Sequence, residues 1–589
     1  MAVHSTEVAA PFDEIRYRRD VARRPKFGPL RYEFACALAA NNDPAEAVEQ
    51  CSKALALQPK LHPAAKLLAS LLQRYALNSN IDISPQGLEA AFAFLDVNRQ
   101  ALGNAAIAYL KARSPLIDVL ACGRNEGWGK AAALLLTGKG QKLLNNRLLK
   151  ASLNNSVNAD PDLEFLLTAL RRHFLFFPEA LHARPAYEFA CALIRQCHNN
   201  GFVFLVSEEE RAQLEQLSFD LASFFNGALQ EVGNFLLMSL YHPHDKLVDA
   251  EHAARGFSKI YPRALRPVLK ECLETRLAEA AYAKRIPRLT AITDKISRVV
   301  ADQYTTDPYP RWLSLQTPEP GSARLELESY FPARSRPQLD GPCDILIAGA
   351  GTCEQAVSAA IASPQAKVLA LDLSAPSLAY GMRFATALGV GNLSFAQGDI
   401  LRLDELEQKF DIIECVGVLH HMEKPYEAWS TLTKRLRPGG LMKIGLYSAI
   451  ARKAIKSLAE TPDWPGSAAD DNALRVYRDK LLRLYPEEPA AELVPSIDFH
   501  TKSGFRDLVL HVKEHQCTLP DIRDFMATNG LDFHGFILPD ETIAAYGSQF
   551  PESPIPRTID HWQSFEEKNP HTFDAMYMFW CAKPDTSQG

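Results

Sequence analysis

The feature that most constrains this chain is an apolar run, Cys343–Ala348, that ends in Gly349-Ala350-Gly351 and passes into a helical pattern over Gln355–Ser363. A short apolar run closed by a glycine turn predicts a buried strand. The alternation then repeats. Lys367–Leu373 is apolar, Ser377–Leu388 helical and Leu393–Ala396 extended; Phe410–Val416 is apolar, Tyr426–Leu436 helical, and Pro438-Gly439-Gly440 turns into Leu441–Tyr447. Strand and helix in strict alternation predict a doubly wound α/β domain on a parallel sheet. Thr518–Thr528 reads as a further helix, and Leu531–Leu538 and Phe573–Ala582 as closing strands, which leaves 448–517 as an insertion.

In such sheets ligands bind at the carboxyl ends of the strands. Glycines there let the backbone approach a ligand, and the next helix N-terminus favours polar or negative groups. Gly349-x-Gly351 alone is a weak signal. Asp372, 23 residues after Gly349, ends the second strand where a ribose would be held. Gly398-Asp399-Ile400 ends the third, where an acid can take an adenine amino group. Gly417-Val418-Leu419-His420-His421 follows the fourth and faces the same cleft. A nicotinamide-dinucleotide domain is the other reading, but it calls for GxGxxG and a longer second half.

Residues 341–447 resemble the class I S-adenosylmethionine-dependent methyltransferases, with their Rossmann-like α/β fold. The resemblance rests on Asp344–Thr352, Leu371-Asp372-Leu373-Ser374, Gly398-Asp399-Ile400, Phe410–Ile413, Val418–Met422 and Arg437–Gly440. It implies S-adenosyl-L-methionine as cofactor, held by Ala348, Gly349, Gly351, Asp372, Leu373, Asp399, Ile400 and Cys415. Two positions depart from the family pattern. Ile347 stands where an acid usually helps hold the methionine amino group, leaving Glu354 or Glu414 to replace it. Cys353 stands where a third glycine is usual. His420 and His421, with Glu414, are the candidate catalytic groups, since a histidine beside the cofactor can remove a proton from an acceptor.

Residues 1–289 read as helical throughout. Phe34, Ala35, Leu38 and Ala39 form one stripe, Asn41–Pro44 a turn, and Ala47, Cys51, Ala54 and Leu55 a second stripe. A second pair is expected at Pro63–Tyr75 and Ser84–Leu95, and further helices at Leu163–Phe177 and Glu208–Phe225. The hairpins resemble tetratricopeptide repeats, which present concave surfaces to peptides. An all-α, repeat-like region therefore precedes the α/β domain at 341–589. Residues 290–340 are an expected linker or lid, in which Tyr304, Tyr309 and Arg311 stand around Tyr309-Pro310-Arg311-Trp312 as substrate or lid residues. The whole chain resembles bacterial methyltransferases that carry such helical regions.

Three acceptor readings follow: a protein or peptide recruited by the helical half; a small molecule, with that half structural or oligomerising; or an arginine gripped by Glu414 and Glu423, nine residues apart. The third resembles the double-glutamate loop of protein arginine methyltransferases, whose β-barrel extension is not read here. A non-catalytic helical scaffold is the remaining alternative. His511 and His515 would share one helix face within Leu508–His515, which reads as a structural pair, so no metal is expected. Sixty-four Lys and Arg against 70 Asp and Glu give a net charge of -6, which makes nucleic acid an unlikely partner. Eleven cysteines without a CxxC pair, a polar Met1–Arg24 and the lack of a membrane-length apolar run predict a cytoplasmic protein with no membrane partner.

Overall fold

The structure is a computed structural model and describes residues 12–75, 82–253, 256–260, 262–331, 342–552, 558–573 and 576–585. The start of the polar N-terminal stretch and the end of the expected linker, 332–340, lie outside the described residues.

Seven strands form one sheet in the order β3-β2-β1-β4-β5-β7-β6. They are β1 (Asp344–Ala348), β2 (Lys367–Asp372), β3 (Leu393–Gln397), β4 (Phe410–Val416), β5 (Leu436–Leu446), β6 (Asp532–Phe536) and β7 (Tyr577–Ala582). Strands β1–β5 are parallel, and β7 lies antiparallel between β5 and β6. The chain order reverses between β1 and β4, so the glycine loop after β1 opens at the topological switch point. Arg437 stands at the opposite end of the sheet and ties β1 to β4, reaching Asp344 at 2.8 Å and Asp411 at 2.5 Å.

The N-terminal region is helical. Helices Gly28–Ala40 and Pro44–Leu57 make the expected hairpin, with Asp43 accepting from Glu46 N at 3.1 Å as cap. Helix Pro161–Phe176 is capped by Asp160. The helix expected over Glu208–Phe225 is instead two, Glu208–Glu215 and Leu221–Phe225, because Asp220 caps a new start by accepting from Ser223 N at 2.6 Å.

Two segments set the site. The expected insertion folds into helices, among them Asp471–Leu484 and Lys502–Val509, whose apolar faces join the core of the N-terminal half. Arg478 and Glu164 lock the two by a buried bidentate pair at 2.6 and 2.7 Å. The expected linker also has structure of its own. Just before it, Pro287 and Leu289 bond to the end of β3 at Gln397, and within it helix Lys295–Thr306 leads to the tyrosines. Among the described residues, no helix is long and apolar enough to cross a membrane.

Candidate active site

The strand ends of β1, β2, β3 and β4 surround a cavity of about 290 Å³. Gly349, Gly351, Asp372, Leu373, Asp399, Ile400, Gly417, Val418 and His421 line it, closed over by Tyr304, Tyr309 and Pro310. Gly349 has φ 73° and Gly351 φ 51°, both in the left-handed region. A Cβ on Gly349 would stand 2.3 Å from the Val418 side chain, and one on Gly351 2.7 Å from the Tyr309 carbonyl. The turn therefore requires glycine twice. Cys353 is also left-handed, at φ 67°, as the missing third glycine would allow without strain. Its side chain fits because Gly381 of helix Ala375–Ala387 faces it.

Asp372 anchors this turn, accepting from Gly351 N and Ser374 N at 2.8 Å each. Each carboxylate oxygen keeps a second acceptor site for a ribose hydroxyl. Burial raises the Asp372 pKa against those backbone donors. Asp399 Oδ1 accepts from Leu401 N at 3.0 Å, whereas its buried Oδ2 has no hydrogen-bond partner. An unmet carboxylate oxygen at the end of β3 is suited to an adenine amino group. Glu354, at the start of helix Glu354–Ala362, lines the far part of the cavity. Burial, and secondly Asp498, push its pKa up to about 7.

The other predicted residues fall elsewhere. Ile347 is buried in β1, and Ala348 and Cys415 are strand core behind the cavity. Glu414 is on the other side of β4, bonded to Gln355 Nε2 and bordering a second hollow with Lys443 and Trp580. Alternation along a strand explains the split, since neighbouring side chains face opposite sides. Glu423 pairs with Lys513 at 3.2 Å and is not a cavity residue, so the two glutamates form no common grip. His420 is fully buried and stacks on Tyr447 at 3.7 Å, its Nδ1 accepting from Tyr447 N. His421 alone of the pair reaches the cavity. Burial lowers its pKa to about 3, so the imidazole is neutral at pH 7 and only a weak proton acceptor. Arg311 is not a cavity residue, and its buried Nε has no partner.

The strap Tyr304–Trp312 is pinned from below. Thr352 N donates to Tyr309 O at 3.2 Å, Trp312 Nε1 to Thr352 Oγ1 at 3.1 Å, and Ser374 Oγ to Tyr304 O at 3.0 Å. The tyrosine rings lie 6.4 Å apart at 20°. Their hydroxyls donate outward to the insertion, Tyr304 to Asp507 at 2.6 Å and Tyr309 to Asp498 at 3.1 Å. Asp498 and Asp507 were not read from sequence as site residues. The signal was their place in an insertion after β5, which such sheets carry to the ligand-binding edge. Helix Lys502–Val509 ends before His511, so His511 and His515 do not share the helix face expected of them. His511 turns back instead and stacks on His421 at 3.6 Å.

Residues 345–440 match a sequence family described as a methyltransferase domain. An uncharacterised protein of Synechococcus is 29% identical over 267 residues, 43% of this chain and 63% of that protein. A trans-aconitate 2-methyltransferase of Deinococcus radiodurans is 34% identical over 119 residues, 20% of this chain and 41% of that enzyme. The chain thus spans less than two thirds of the length of either relative. Among solved structures, PKMT2 from Rickettsia typhi is similar with TM-score 0.34 and 15% identity over 46% of this chain and 52% of that one. Residues 345–440 are therefore similar to a methyltransferase domain, and the residues at these strand ends fit S-adenosylmethionine. Asp372 would hold the ribose, Asp399 Oδ2 the adenine amino group, and Glu354 the methionine amino group in place of an acid at Ile347.

Proposed function

We propose that this chain is an S-adenosylmethionine-dependent methyltransferase whose acceptor is a protein or peptide presented by the helical half. When bound, the cofactor supplies a methyl group on a sulfonium and its own leaving group. The chain's residues align the acceptor and exclude water. Tyr304, Tyr309 and Pro310 cover the cavity, and His421, neutral and beside the glycine loop of β4, stands where the reacting group of an acceptor would lie.

The observation that carries the acceptor reading is the shared core. Asp498 to His511, which back the tyrosines over the cavity, belong to an insertion buried against the N-terminal helices and locked by Arg478–Glu164. A partner bound on the helical half would therefore press on the backing of that cover. The small-molecule reading has one observation in its favour, the cavity of only about 290 Å³, which is small for a cofactor together with a protein segment.

Removing residues 1–285 cannot separate these readings, since the insertion would lose its packing. The full chain with cofactor labelled in its methyl group, added to cell extract, does separate them. Label in the protein fraction, abolished by Asp372→Ala, is expected. Label confined to the small-molecule fraction would overturn protein recruitment. Undetectable cofactor binding by calorimetry would favour the non-catalytic scaffold.

A further inference from the structure

We propose that His421, His511 and Asp507 form a site for a divalent transition-metal ion at the acceptor end of the cavity. Each offers one ligand atom, and the three atoms lie within 4.8 Å of one another. The histidines come from separate segments, the loop after β4 and the turn after helix Lys502–Val509, yet both are oriented by one group. The Lys513 carbonyl stands 2.9 Å from His421 Nδ1 and 2.6 Å from His511 Nδ1. A carbonyl only accepts, so it takes the Nδ1 proton of each ring. Lys513 N also points at His511 Nδ1, but at 3.1 Å, and the shorter contact sets the tautomer. Both Nε2 lone pairs are then free, the arrangement that carbonyl partners give to metal-binding imidazoles.

Counting donors leaves a deficit. Among the described residues, Lys513 N, beside His511 Nδ1, and the Tyr304 hydroxyl are the donors recorded at this cluster. The hydroxyl donates to Asp507 Oδ1 at 2.6 Å and also lies 3.1 Å from His511 Nε2. Its single proton cannot serve both. Converging acceptors in a buried place are costly, and a cation relieves them together. Two imidazoles and one carboxylate suit a first-row transition metal.

The surroundings favour positive charge. Asp498 and Glu514 act on Asp507, while the guanidinium nearby, Arg452, is already held by Glu514 at 3.0 Å. A second donor set, His198, His244 and Cys272, makes the contrast. It has more unpartnered nitrogens, but Arg195, Arg276 and Arg311 face it, and they oppose a dication. The acceptor-end ion would hold an oxygen of the acceptor beside the methyl donor and lower that oxygen's pKa. Its purpose rests on the methyl-transfer reading; its existence does not.

The full chain is stripped with chelator and titrated with Zn²⁺ and Co²⁺, reading metal content and the visible spectrum of bound Co²⁺. One equivalent is expected, with affinity at least about tenfold weaker in Asp507→Asn and in His511→Gln. His244→Gln is expected to leave binding unchanged. S-adenosylmethionine calorimetry on each variant reports that it is folded and tests the cofactor reading separately. Failure of the unaltered chain to bind one equivalent, wild-type affinity in both acceptor-end variants, or loss in His244→Gln would overturn the proposal.

Discussion

The two ends of the cavity are built in opposite ways. The cofactor end is made of turns that follow β1, β2 and β3 directly, and its contacts are mostly backbone to a carboxylate within one domain. The other end is lined by Tyr304, Tyr309 and His421, and Asp498 to His511 back these side chains from an insertion that rests on the helical half. The difference shows that the strand-end turns form largely by local folding of the α/β sheet, whereas the cover of the other end is complete only when the whole chain is assembled.

The largest effect that could break this contrast comes from Arg478. Removing one partner of a buried, bidentate pair leaves an unpaired charge and costs about 3–5 kcal/mol. Arg478→Ala should lower thermal stability by that amount and weaken methyl transfer. Cofactor affinity of the folded fraction should change little; a loss as large as that of transfer would show that the two ends are not independent. The pair also sets an acid limit. Burial raises the Glu164 pKa, but Arg478's charge and hydrogen bonds hold it down to about 2. The folded value lies below the ordinary 4.5, so the contribution is full above about pH 4.5 and is lost as pH falls toward 2. Acid unfolding of Arg478→Ala should lack that component.

At the cofactor end, Asp372→Ala should weaken S-adenosylmethionine by about a hundredfold, the scale of two charge-assisted hydrogen bonds. It also frees Gly351 N. Asp399→Leu removes one acceptor for the adenine and should cost nearer tenfold. Calorimetry reads both. Equal losses would mean that Asp372 does no more than Asp399, and that its anchoring of the glycine turn is unimportant.

The same division explains what could be read from the sequence. The sheet, its order of elements, and Gly349, Gly351, Asp372 and Asp399 were legible because each is fixed by neighbours within a few residues. The backing of the tyrosine cover was not, because Asp498 and Asp507 acquire meaning only through Tyr309 and Tyr304, about 200 residues away. His511 was misread for a local reason, since four-residue spacing to His515 fits a helix that in fact stops at Val509. Glu414 and Cys415 are adjacent in β4 and neither lines the cavity, so a strand position near the site did not say whether its side chain enters it.

A smaller effect tests the join between the ends. Glu354 has a pKa raised to about 7 by burial and by Asp498. Only its ionised form attracts the methionine ammonium. Cofactor affinity should therefore fall as pH drops below about 7, by a few-fold at pH 6, and Glu354→Gln should flatten the profile. A profile unchanged by that substitution would leave the ammonium to another group.

The last effect is a coupling of about 1 kcal/mol between Cys353 and the glycine that faces it. A Cβ at Gly381 would lie 2.4 Å from Cys353 Cβ, 2.7 Å from its Sγ and 2.8 Å from Thr352 O. Gly381→Ala should therefore destabilise by about 1–3 kcal/mol, the usual cost of overpacking. Cys353→Gly relieves a left-handed φ but gives up buried contact and adds chain entropy to the unfolded state, so its net change should stay within about 1 kcal/mol. In the double variant two of the three clashes disappear and only the Thr352 carbonyl remains. Its destabilisation should be smaller than the sum of the single changes by about 1 kcal/mol. Strict additivity in thermal unfolding would mean that Gly381 is not the neighbour that makes room for a cysteine in a glycine's place.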